Sequence, residues 1–214
     1  MPYRQTVWIA RHASRLDFVN PDWHRTAPNP FDPPLSEEGA IQSRQLGRRL
    51  SGEGIARIFS SPFLRAVETA HHVADILDLP VEIEQGACEW LNPDWFPSQP
   101  EWTVLEALGR DFPRIAGQDA SVVSPDYPET WEDMLARTAT VIRTLTARTQ
   151  EDILIIGHGA SLLGFTRALV SGEPGINADF CALVKLVRLK TRWQLELAGD
   201  TSFLERATGE SRFI

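Results

Sequence analysis

Within its first fifteen residues the chain reads TVWIARHASR, so that Arg11, His12 and Arg15 follow directly on an apolar run. An imidazole among guanidinium groups has a specific chemical use. The neighbouring cations disfavour its protonation and leave a lone pair free, while the guanidinium forks match the oxygens of a phosphoryl group. Three further stretches supply complementary parts: SSPFLRAVETA (60–70) carries Arg65, ACEW (87–90) carries Glu89, and GHGAS (157–161) carries His158. Hydrolysis of a phosphate monoester asks for such a set. It needs cations over the oxygens of the transferring group, a nucleophile in line with phosphorus, and an acid at the departing alkoxide.

The elements that must position these residues are readable from periodicity. Residues 6–10 are a compact apolar run that reads as a buried strand ending at the histidine. Residues 16–34, rich in Pro, Asn and Asp, read as a loop. Ser36 is placed to cap a helix reaching to about Leu50, with Glu37 and Glu38 in its first turn, and Gly52 and Gly54 end it. Residues 56–60 read as a second strand. Ser61 as N-cap and Pro62 at the first helical position begin the next helix, in which Leu64, Val67, Ala70, Ala74 and Leu77 recur at helical spacing. Residues 81–84 alternate as a strand. From about 85 to 129 periodicity is lost among many Pro and Trp residues, which predicts a substrate-facing insertion with some short helix inside it. Thr130, with Asp133 in capping-box position, opens a helix over about 131–148. Residues 152–157 read as a buried strand, 161–171 as a helix, and 183–189 and 192–199 as an antiparallel pair around Lys190-Thr191.

This order predicts a single domain over residues 1–214 of class α/β, a three-layer α/β/α sandwich with a mainly parallel sheet. His12 and His158 each follow a strand, and Arg65 lies in the first helical turn after another. Ligands of open α/β sheets bind at the carboxyl ends of the strands, so all three segments are expected at one crevice.

Composition narrows the classes. The net charge is −8, with a pI near 5.1 and no run of Lys or Arg, which argues against a nucleic-acid partner. An anionic substrate would be opposed by the global field, so attraction must come from local arginines. Cys88 and Cys181 stand in unrelated contexts, giving neither a disulfide framework nor a zinc motif. The N-terminus lacks an apolar signal core and no stretch reaches the length of a membrane span, so a cytoplasmic protein with no membrane partner is expected. Oligomeric state is left open, a homodimer among the options.

In this order and at these separations the motifs resemble the histidine phosphatase superfamily, branch 1, the phosphoglycerate-mutase-like group. The resemblance covers nearly the whole chain: RH near the N-terminus, DPPLSEEG (32–39) before the first helix, SSPFLRAVETA, a Glu in the central insertion, and GHGAS late. In motif detail it is similar to the phosphatase domain of the suppressor of T-cell receptor signalling proteins. The resemblance implies a phosphoglycerate-mutase-like fold in which His12 is the nucleophile that becomes phosphohistidine. It implies that Arg11, Arg65 and His158 hold the phosphoryl oxygens, that Arg15 adds a further contact, and that Glu89 protonates the leaving group and then activates water. Neither a metal nor another cofactor is expected, because the arginines and His158 supply the charge. Two departures from the family's pattern stand out, the pair Ala13-Ser14 and Phe18. Ala13 and Ser14 stand where Gly and Glu are usual, so the loop must take an ordinary backbone conformation or absorb strain. Phe18 replaces a commonly phosphate-binding Asn, a contact expected to pass to Arg15.

Several residues carry competing readings. Glu82, Glu84, Glu101 and Glu106 are alternatives to Glu89. His71-His72 suggests a metal, but adjacent helical residues face about 100° apart and suit no shared ion. Trp90, Trp95 and His24 are candidates for a substrate pocket. Ser161 lacks the G-x-S-x-G setting of a hydrolase serine and reads as a helix-start residue. The expected activity is hydrolysis of a small or peptidyl phosphate ester. The alternatives are a phosphoglycerate-type mutase and a catalytically weak phosphoryl-binding regulatory domain. Arg110 and Arg114 are the only basic residues in 85–129, which leaves little to hold the second anion a mutase needs.

Overall fold

In the computed structural model, which describes residues 4–102, 105–116 and 121–205, the first apolar run is strand β1 (Arg4–Arg11). A 3-10 turn (Leu16–Phe18) and the brief helix α1 (Trp23–Thr26) punctuate the segment expected to be loop. There follow α2 (Glu37–Leu50), β2 (Ile55–Ser60), α3 (Leu64–Leu77), β3 (Val81–Ile83) and a second 3-10 turn (Gln85–Ala87). The chain continues through α4 (Leu105–Asp111), α5 (Trp131–Arg148), β4 (Asp152–Gly157), α6 (Gly159–Leu169), β5 (Leu183–Leu189) and β6 (Arg192–Asp200).

The six strands form one sheet in the order β3-β2-β4-β1-β5-β6. The first four run parallel, and β5 and β6 add antiparallel to β1 and to each other. Strand period decides which side chain faces which helices. Trp8 and Ala10 of β1, with Leu154 and Ile156 of β4, share a buried cluster with residues of α2 and α3. Val7, Ile9, Ile153 and Ile155 face the other way and share a cluster with residues of α5 and α6. Helices therefore cover both faces, and the chain has the α/β/α layering expected of a mainly parallel sheet buried on both sides. Burying one Leu, Ile or Val of these layers contributes about 1.5–3 kcal/mol.

Helix starts follow local chemistry. Ser36 accepts from Gly39 N at the head of α2. Thr130 Oγ1 accepts from Asp133 N (3.1 Å) while Asp133 Oδ2 accepts from Thr130 N (3.0 Å), the reciprocal pair expected for α5. Two helix starts differ from the sequence reading. α3 is capped by Phe63 rather than Ser61, because the Ser61 hydroxyl is committed elsewhere. α6 begins at Gly159, directly on the end of β4, and Ser161 lies in its first turn, accepting from His158 N (2.9 Å).

Candidate active site

Four parallel strands deliver their carboxyl ends side by side, and backbone hydrogen bonds lock the segments that leave them. His12 N donates to Gly157 O (2.9 Å), Ser61 N to Ile156 O (2.9 Å) and Cys181 N to His12 O (3.3 Å). Cys181 holds a left-handed backbone (φ 55°) in doing so. The loop after β1 is tied down further: Ala13 N donates to Thr69 Oγ1 (3.1 Å) of α3, and Ser14 N to Gln42 Oε1 (3.0 Å) of α2. Ala13 is fully buried and is not among the residues with positive φ, so the missing glycine brings no left-handed strain.

His12 Nδ1 lies 2.8 Å from Ala13 O. A carbonyl only accepts, so Nδ1 carries the proton and Nε2 carries the lone pair. That Nε2 is buried and has no hydrogen-bond partner. Burial, then the charges of Arg65, His158 and Arg11, hold the His12 pKa well below 6.5. His158 stands edge-on, with ring centroids 5.1 Å apart. Its Nε2 is 2.7 Å from Ser61 Oγ, which already accepts from Phe63 N (3.3 Å). Ser61 can serve either tautomer, and the one in which it donates to Nε2 is the one that leaves Nδ1 as a donor. His158 Nδ1 makes no hydrogen bond and lies 3.6 Å from Glu89 Oε2. Burial first, with Arg65 and Arg11, keeps His158 neutral as well.

The arginines divide the work unequally. Arg65 is 1% exposed, yet its Nε and Nη1 are unpartnered, with Asp32 Oδ1 3.7 Å from Nη1. Desolvation lowers its pKa to about 10, so it stays charged. Arg11 donates to Ala178 O (2.6 Å) and leaves Nε unused. Arg15 is paired with Asp17 through Nε (2.9 Å) and Nη2 (2.6 Å). Each guanidinium lies against an aromatic face: Arg65 on Phe63 (4.4 Å), Arg11 on Phe180 (4.6 Å) and Arg15 on Phe18 (4.4 Å). Phe18 thus braces Arg15 at the position where an Asn was expected by resemblance.

Unsatisfied buried donors are costly. Here Arg65 Nε and Nη1, Arg11 Nε and His158 Nδ1 gather around one unpaired imidazole nitrogen, which is the complement of an oxyanion.

A cavity of about 670 Å³ opens over this cluster. Arg11, Arg15, Arg65 and Glu89 line one end, and Phe31, Trp90, Trp95, Phe96, Trp131 and Leu163 line much of the rest. His12 and His158 lie beneath that lining and expose no surface. Trp90 meets Trp95 and Trp131 edge to face, at 5.3 and 5.2 Å. His24 also lines the cavity, 3.7 Å from Asp17 Oδ2. All three residues named from sequence as pocket candidates are therefore present in it. Of the competing carboxylates, Glu82 is paired with Arg57 and Glu84 accepts from Gly86 and Val122, while Glu101 is exposed. The Glu106 side chain lies outside the described residues. His71 pairs with Asp75 (3.5 Å) one turn further along α3. Among the described residues no cluster of three or more metal-ligating side chains occurs, and no helix is long and apolar enough to cross a membrane. Sequence reasoning missed Asp17, Asp32, Ser61 and Phe180, whose parts depend on contacts across the fold.

Fold and site together define an α/β protein with histidines and arginines gathered at a cavity at the ends of parallel strands. The sequence profile of the histidine phosphatase superfamily (branch 1) matches residues 7–201, and the chain belongs to that family. It is 30% identical to the transcription factor tau 55 kDa subunit of Saccharomyces cerevisiae, over 92% of this chain and 51% of that protein. It is 31% identical to human ubiquitin-associated and SH3 domain-containing protein A, over 73% of this chain and 25% of that one. The chain spans about half or less of the length of these curated relatives. Its fold is similar to that of the ecdysone phosphate phosphatase from Bombix mori solved with tungstate, with a TM-score of 0.80, 20% identity and 98% of each chain covered.

Proposed function

We propose that the protein is a metal-independent phosphomonoesterase working through a phosphohistidine on His12. The observation that carries this reading is the unpaired His12 Nε2 among the unspent donors of Arg65, Arg11 and His158, with the Glu89 carboxyl beside them. In the first step Nε2 attacks phosphorus while the bond from phosphorus to the ester oxygen breaks. Protonated Glu89 gives its proton to the departing alkoxide. His158 Nδ1 and the two arginines hold the equatorial oxygens, where charge spreads in the transition state. In the second step the Glu89 carboxylate takes a proton from water, whose oxygen attacks phosphorus. The bond from phosphorus to Nε2 breaks, free phosphate leaves, and the lone pair returns to the imidazole.

The cavity favours hydrolysis over a mutase. Its cations are the three arginines at the phosphoryl end, and the wall beyond is aromatic and apolar. Among the described lining residues few polar side chains, His24 and Asn177 among them, are left to meet a second phosphate or carboxylate. The alcohol part is therefore read as bulky and apolar, in keeping with relatives named ecdysteroid-phosphate phosphatase and ecdysone phosphate phosphatase. A cytoplasmic location and a free small-molecule or peptidyl ester as partner belong to the same reading.

The test is rapid acid-free quenching with a 32P-labelled aryl phosphate. Label is expected on wild-type protein, stable to alkali, lost in acid, and absent in His12→Ala, with turnover insensitive to EDTA. Turnover surviving in a folded His12→Ala protein removes the nucleophile assignment. Activity restored only by a divalent ion after chelation removes the metal-free mechanism.

A further inference from the structure

Glu89 sits in the irregular stretch after the 3-10 turn, where no helix or sheet ladder fixes the backbone. We propose that the buried pair Arg137–Glu129 is the positioning device that holds Glu89 where it reaches the leaving group. The inference rests on the acid role given to Glu89 above.

The geometry is unusually complete. Arg137 lies on α5, and its side chain is 3% exposed, as that of Glu129 is 4%. Toward Glu129 it donates from Nε (2.6 Å) and Nη2 (2.8 Å), a bidentate fork. Its remaining donors all go to backbone carbonyls around Glu89: Nη1 to Gly86 O (2.7 Å) and Cys88 O (3.3 Å), and Nη2 to Glu89 O (3.1 Å). All five N–H groups of the guanidinium are thereby used. Glu129 completes the other side. Its Oε2 accepts from Leu91 N (3.1 Å), its backbone N donates to Leu91 O (3.0 Å), and its carbonyl accepts from Trp90 Nε1 (3.0 Å). Glu89 is thus bracketed from residue 86 to residue 91 by one ion pair.

A buried ion pair is weak evidence for stability, since apolar replacements often do as well. Holding three carbonyls of a loop at fixed positions is something an apolar pair cannot do. A misplacement of about 1 Å costs about 100-fold in catalysis when the displaced group acts in the transition state. The pair should therefore matter wherever the leaving group needs a proton, and matter little where it does not.

The experiment measures kcat/KM, which reports steps up to phosphoenzyme formation, on two esters with the full chain. Phenethyl phosphate has a basic alkoxide leaving group, and 2,4-dinitrophenyl phosphate has one that departs unprotonated. Glu89→Gln is the control and should lower kcat/KM on phenethyl phosphate about 100-fold or more, with a small effect on the dinitrophenyl ester. Arg137→Lys keeps the charge but loses the fork, and should lower the phenethyl value about tenfold or more while the other changes less than about threefold. If Glu89→Gln lacks this signature, the acid assignment fails. If Glu89→Gln shows it and Arg137→Lys slows both esters alike or neither, the positioning proposal fails. Should Arg137→Lys not fold by circular dichroism, the same ratio is read in Glu129→Gln. If neither folds, the pair is a folding element and the proposal is overturned.

Discussion

Burial around the phosphoryl end forces carboxylates into unusual company. Glu68, on α3, accepts from Leu35 N, and desolvation raises its pKa from 4.5 to about 7. Nearby Asp32, which accepts from Leu64 N (2.8 Å) and faces Arg65, is raised by burial from 3.8 to about 6. A carboxyl whose folded pKa lies above its unfolded value binds more protons in the fold. Its contribution to stability is full below the unfolded value and is lost as pH rises through the folded one. Glu68 therefore destabilises the protein progressively between pH 4.5 and about 7. His12 and His158, lowered by burial, act oppositely below 6.5. Glu68→Gln keeps an acceptor for Leu35 N but removes the titration. The change in urea midpoint from pH 5 to pH 8 should be more positive, or less negative, in the variant than in wild type, with Asp32 and the two histidines supplying the rest. Equal pH slopes would show that Glu68 titrates normally.

At the level of elements, α2 reaches the loop after β1 through a contact that only glycine permits. A Cβ built on Gly39 would collide with the Ser14 carbonyl, which also accepts from Ser36 N (3.0 Å). Gly39→Ala must push the segment Ala13-Ser14, and with it the carbonyl that fixes the His12 tautomer. We expect a loss of about 1–3 kcal/mol in stability from overpacking, together with a fall in kcat. Gly47→Ala, which would meet Val73 and Ile76 between α2 and α3, is the matched control. It should lower the melting temperature without the same loss of kcat. A Gly39→Ala protein with full kcat would separate the loop from the chemistry. This contact lies within the DPPLSEEG motif, yet the motif alone gives no sign of it. Strands and long helices were legible because period, caps and breakers act locally: Ser36, Thr130 and Gly52 each mark a boundary where the chain has one. Ser61-Pro62 carries the same local signature as a helix start, but the end of β2 aims Ser61 at His158. The tertiary partner wins over the cap. Arg137 reads in sequence as an ordinary helical residue, since a buried pair with Glu129, across the head of α5, has no sequence periodicity.

For the whole molecule, the proposed phosphate ester would be drawn to a chain of net charge −8 by three local arginines, one already neutralised by Asp17. Long-range steering therefore contributes little, and selectivity falls to contact within the cavity. The convergence of Arg11, His12, Arg65 and His158 was readable from their places after strands and in helical first turns. The aromatic wall was only partly readable. Trp90 and Trp95 stood out in the irregular stretch, whereas Phe31 and Trp131 come from distant segments that only the fold assembles. If this wall selects the alcohol, removing an aromatic far from phosphorus should alter binding alone. Trp95 is 46% exposed and meets Trp90 edge to face, making no polar contact with the reacting groups. Trp95→Ala should raise KM for a bulky aryl phosphate such as 1-naphthyl phosphate by roughly three- to tenfold, about 0.5–1.5 kcal/mol. KM for methyl phosphate, which cannot reach the wall, should stay the same, as should kcat for both. Steady-state kinetics on the two esters decides it: equal changes in KM would mean that the wall plays no part in choosing the substrate.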